Sequence, residues 1–152
     1  MICPSTPFAQ CFHENTAIFV GDFPVGTASA TIRHSSVSDY GGVGIVIINE
    51  GSTAQIDHNR VFGNQVGIYV VGAAELSHNE VLDNSYFGLA LQDGSLRSSH
   101  DQILGGSGGV AVIAAFADTV ATLDHSKISK TSGPAVQEFE CCGFSATTIG
   151  GP

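Results

Sequence analysis

Apolar and polar positions alternate in short runs that recur five times along the chain. One run reads Ala30-Thr-Ile32, Ala54-Gln-Ile56, Ala74-Glu-Leu76, Leu96-Arg-Ser98 and Ala121-Thr-Leu123. Its outer positions are apolar and its middle position is polar, the period of two that places a strand with one face in and one face out. The fourth copy exchanges sizes, with Leu96 in the column of alanines and Ser98 in the column of Ile and Leu. Those opposite volume changes keep a packed interior filled. A second inward position follows at Val37, Val61, Val81, Ile103 and Ile128. A turn rich in Gly, Asn and Asp comes next, and then a third strand: Gly44-Ile-Val-Ile, Gly67-Ile-Tyr-Val, Gly88-Leu-Ala-Leu, Gly109-Val-Ala-Val and Gly133-Pro-Ala-Val. Ala17-Ile-Phe-Val20 supplies an earlier copy of this strand, and Ala146-Thr-Thr-Ile149 begins a further first strand.

Between first and second strands stands a histidine: His34, His58, His78, His100 and His125, at spacings of 24, 20, 22 and 25 residues. A self-similar unit of this length is the signature of a solenoid. Three short strands and three turns per unit describe an all-β fold, a single-stranded parallel β-helix of about five coils of 20–25 residues. Residues 1–15 are expected to cap it, and residues 16–152 to form the β-helix domain.

The Ile-x-x-Asn-x-Val…Asn-x-x-Gly-Ile pattern, carried by Ile56-Asp-His-Asn-Arg-Val61 and Asn64-Gln-Val-Gly-Ile68, resembles the repeats of the pectate-lyase-like superfamily. The resemblance covers nearly the whole chain and implies a right-handed coil. It also implies a range of carbohydrate chemistry, from polysaccharide lyases to epimerases and hydrolases, alongside members with no activity. No paired-Asp motif of the hydrolases occurs, so the resemblance transfers a fold and no catalytic residue.

Strand alternation from Ile56 through Asp57 points His58 inward, and the same count applies to the other four histidines. The expected arrangement is a structural ladder of stacked imidazoles; the competing one is a metal strip, since imidazole is a common metal ligand. Asn59, Asn79 and Asp101 then suit the next position, where a left-handed backbone is needed.

The third strand is apolar on both faces. Its outward positions Phe19, Val46, Ile48, Tyr69, Val71, Ala90, Ala111, Ile113 and Val136 form a row that reads as covered. A second copy would cover it as a homodimer or higher homo-oligomer. The chain's own N-terminal segment, with Phe8 and Phe12, is another cover, and a ligand groove floored by Tyr69 a third reading. Phe62, Leu82 and Leu104 extend the apolar surface.

A net charge of −9, from 14 acids against five bases, argues against nucleic acid and against anionic membrane surfaces. No apolar run approaches a membrane span, and the N-terminus lacks a signal-peptide pattern, so a soluble chain is expected, its compartment open. Cys3, Cys11, Cys141 and Cys142 match no zinc spacing, and unpaired thiols are expected, because a ring between adjacent cysteines is strained. Asp39, Asn64, Asp83 and Asn84 fall at corresponding corners and offer calcium ligands, with Tyr40 and Tyr86 beside them able to stack on sugars. Turn formation is the plainer role for such residues. The sequence thus describes a small β-helix that binds or builds, self-associating through its apolar face. The alternative is a carbohydrate-active or carbohydrate-binding protein, with a glycan as partner.

Overall fold

A computed structural model describes residues 15–21 and 26–150. The strands pair in parallel from coil to coil and close into three sheets. The first-strand sheet holds β2 (Ser29–Arg33), β5 (Thr53–Asp57), β8 (Ala73–Ser77), β11 (Ser95–Ser99), β14 (Thr119–Asp124) and β17 (Ala146–Gly150). The second-strand sheet holds the short strands β3 (Ser36–Ser38), β6 (Arg60–Phe62), β9 (Glu80–Leu82), β12 (Gln102–Leu104) and β15 (Lys127–Ser129). The third-strand sheet holds β1 (Thr16–Val20), β4 (Val43–Ile47), β7 (Val66–Val70), β10 (Phe87–Gln92), β13 (Gly108–Ala114) and β16 (Val136–Glu140). Among the described residues no helix is long and apolar enough to cross a membrane.

Like stacks on like. Ile32, Ile56, Leu76, Ser98 and Leu123 lie in one column, and Val37, Val61, Val81, Ile103 and Ile128 in another. These columns and the inward face of the third-strand sheet form one continuous core. Gly67 starts a strand where backbone runs close. A Cβ there would come within 2.6 Å of the Gly88 carbonyl oxygen and 2.8 Å of the Asn84 amide.

The third-strand sheet departs from expectation in two ways. Val136 pairs with Val110, an inward residue, so Val136 packs against the main core and Gln137 takes the outward column beside Ala111. The Gly133-Pro134 turn also shifts the register by two residues from the glycine alignment read in the sequence, a shift that keeps each residue on its face, so Val136 is inward in either register. The outward row is also buried within this chain: Val46 and Ala111 are 0% exposed and Tyr69 is 6% exposed. With Val43, Ile48 and Ala90 they form a second apolar cluster, against which Phe19, Val66, Val71 and Phe87 pack. The middle of the row expected as an interface is therefore core, while Phe19, Val71 and Ile113 of the same row are half-buried. The N-terminal cap with Phe8 and Phe12, and the thiols of Cys3 and Cys11, lie outside the described residues.

Candidate functional site

Each coil turns from its first to its second strand through two residues, and those two divide the work. His34, His58, His78, His100 and His125 have φ between 49° and 57°, the left-handed region. A residue in that conformation breaks strand alternation, so the imidazole swings outward and the following side chain turns in. The expectation of inward histidines with left-handed Asn and Asp is thus reversed. Asn59, Asn79 and Asp101 are the buried residues, and the histidines are exposed.

The inward amides make the structural ladder. Asn79 Oδ1 accepts from Asn59 backbone N (2.9 Å) and Asn59 Nδ2 (3.1 Å), while Asn79 Nδ2 donates to Ile56 O (2.8 Å). Asp101 Oδ1 repeats the pattern toward Asn79, accepting its backbone N (2.7 Å) and its Nδ2 (2.9 Å). Ser35 N donates to Asn59 Oδ1 at one end, and Ser126 Oγ accepts from Asp101 N at the other. Ser98 finds its reason here: its hydroxyl donates to Asp101 Oδ2 at 2.6 Å. Burial raises the Asp101 carboxyl above the ordinary range, against the opposing pull of the Ser98 and Asn79 hydrogen bonds.

The next corner uses the same device. Asp39 and Asp83 stand exposed in left-handed backbone, and Asn64 and Asn84 turn inward, joined by hydrogen bonds from Asn64 N (3.0 Å) and Nδ2 (3.1 Å) to Asn84 Oδ1. The expected calcium-and-sugar group is therefore split. Asn64 and Asn84 are occupied inside; Asp39, Asp83, Tyr40 and Tyr86 stand outside.

Outside, the five imidazoles line up, the last four stacked and His34 tilted against His58. Successive ring centroids lie 5.4, 4.8, 5.1 and 5.1 Å apart, and from His58 to His125 the planes stay within 11° of parallel. Asp57 and Asp124 flank the stack, contacting His58 Nδ1 at 2.8 Å and His125 Nδ1 at 2.7 Å. The Ser77 hydroxyl at 2.6 Å, followed by His58 and the charge of Arg33, holds the Asp57 carboxyl below the usual range. Asp57, His58 and His78 bring three ligand atoms within 4.8 Å of one another.

A second surface lies on the outer face of the first-strand sheet. Thr31, Gln55, Glu75, Arg97 and Thr122 stand in register, one per coil, with Ser29, Thr53, Ala73 and Ser95 beside them as a low shoulder. They line a shallow groove of about 650 Å³. The alternation along the first strand marks these middle positions as outward and polar.

Two further features escaped the sequence. Asp93 Oδ1 accepts from three consecutive backbone amides of the next coil, Ala115, Phe116 and Ala117, at 2.8 to 3.1 Å. Although burial pushes the Asp93 carboxyl up, these bonds and one from Gln92 outweigh it and hold the group low. Cys141 and Cys142 are joined as a vicinal disulfide, where unpaired thiols were expected; the turn after β16 sets Cys142 at φ 63° and brings the neighbouring sulfurs together.

A family model described as a right handed beta helix region matches residues 23–128. No curated protein and no solved structure matches the chain.

Proposed function

From the premise that this chain belongs to the right-handed β-helix family, as the match over residues 23–128 establishes, we propose that it is a binding module for a neutral polysaccharide. The observation that carries this reading is the outward row Thr31, Gln55, Glu75, Arg97 and Thr122 in its groove. Parallel coils repeat at about 4.8 Å, so the row offers a hydrogen-bonding side chain at each step to an extended ligand laid along the solenoid. Hydroxyl, amide, carboxylate and guanidinium groups together supply donors and acceptors for sugar hydroxyls. The net charge of −9 favours a neutral chain over a polyanion.

Binding rather than hydrolysis follows from the acid inventory. Two carboxyl groups on either side of the scissile bond are the usual requirement, and Glu75 is the single carboxylate among the groove residues, in register with Arg97. Self-association through the third-strand face is not the reading we favour. Burial of Val46, Tyr69 and Ala111 within one chain withdraws the centre of that row from a second copy.

Affinity electrophoresis through gels containing a neutral β-glucan or, separately, polygalacturonate tests the proposal. Retardation by the neutral polymer is expected, with Gln55→Ala and Arg97→Ala each weakening it about tenfold, the loss of one to two good hydrogen bonds. No retardation by the neutral polymer, or retardation by the polyanion alone, would overturn it.

A further inference from the structure

The groove leaves the imidazole stack unused, and that stack holds a second site of different chemistry. We propose that Asp57, His58 and His78 bind a divalent transition-metal ion of borderline softness, represented by Zn²⁺. Asp57 Oδ1 stands between the two rings, 2.8 Å from His58 Nδ1 and 4.0 Å from His78 Nδ1. One carboxylate oxygen and two imidazole nitrogens are a donor set suited to zinc. Ligand atoms around a tetrahedral zinc ion sit about 3.3 Å apart, as zinc–ligand bonds of about 2.0 Å require. His78 must therefore close on Asp57 from 4.0 Å and on His58 from no more than 4.8 Å, the two stacked rings tilting so that both nitrogen lone pairs meet the ion. His58 must open slightly from Asp57, the ion replacing the proton of the His58–Asp57 hydrogen bond. That proton passes through solvent to Nε2, so the ring stays neutral. Both imidazole side chains are 52% exposed and free to make this adjustment, while the inward amides beneath them fix the backbone. The outward side leaves a fourth position to water.

Register explains why the site forms where it does. In the column Arg33, Asp57, Ser77, Ser99 and Asp124, the small Ser77 follows Asp57, donates to it, and leaves room for His78 to lean across. Asp124 has its own partner in His125, and among the described residues no histidine stands in the coil that follows. Among the described residues, Asp57, His58 and His78 form the one group of three His, Cys, Asp or Glu side chains gathered this closely. Arg33 adds a positive charge one coil before Asp57 and works against the ion, so Arg33→Gln should tighten binding.

Calorimetric titration of the full chain with Zn²⁺ alone tests the site. One ion per chain is expected, with Asp57→Asn, His58→Asn and His78→Asn each weakening binding at least tenfold, and His125→Asn leaving it within twofold. Asparagine is the replacement because it tolerates the left-handed backbone. Co²⁺ gives a readout that needs no variant: a four- or five-coordinate nitrogen and oxygen site absorbs visible light far more strongly than the aqua ion. No binding, an unchanged aqua-ion spectrum, or equal weakening by the His58, His78 and His125 variants would overturn the proposal.

Discussion

In the inner ladder Asp101 stands where Asn59 and Asn79 stand in the coils before it, and it brings a carboxylate into the interior. Each asparagine accepts with Oδ1 and donates with Nδ2; an ionised Asp101 can only accept. Burial raises its native carboxyl above the value of the unfolded chain. The native state therefore holds the proton more tightly, so the stability linked to this residue is present below the unfolded value near pH 3.9 and lost as pH rises through the raised native one. Asp101→Asn should remove that loss and supply a donor, stabilising the protein by about 1 kcal/mol at pH 7 and flattening its acid-side pH dependence. Urea unfolding of the two proteins at pH 7 and at pH 4 checks this, and a variant less stable at neutral pH would refute it.

At the scale of elements, the third-strand sheet is apolar and buried on both faces through its middle strands β4, β7, β10 and β13. Val46→Asp places a carboxylate at a site with 0% exposure and should cost about 3 kcal/mol or more. The loss should appear as lowered unfolding stability with an unchanged molar mass by light scattering. A folded variant of reduced mass would restore the interface reading. The strands themselves were legible, because period-two alternation and repeating Ile and Val columns report burial directly. The register of β16 was not, since Gly133-Pro134 resembles the glycine that opens β13 while adding length to the coil. The corners were misassigned by one residue for a physical reason. Counting alternate positions assumes extended backbone, and a left-handed His58 or His78 resets the count. His-Asn in the sequence does not say which of two residues tolerant of that conformation adopts it; a buried amide's need for partners on both neighbouring coils settles it.

At the scale of the whole molecule, the groups that hold coil to coil are separate from those that face solvent. Amides face in and tie each coil to the next, while imidazoles and the polar row face out, where a ligand can reach them. Periodicity along the chain reveals the stacking of like residues, whereas the gathering of Asp57, His58 and His78 depends on Ser77 from another coil and is not written in any one repeat. If the division is right, neighbouring residues of one corner must differ sharply in what they contribute to stability. Urea unfolding of Asn79→Ala beside His78→Asn measures that difference directly. Asn79 is 1% exposed and its loss strands buried backbone partners, so Asn79→Ala should cost about 2–4 kcal/mol. His78→Asn keeps a residue that accepts the left-handed backbone and should change stability by no more than about 1 kcal/mol. The reverse order, a large loss at His78 with little at Asn79, would contradict the account.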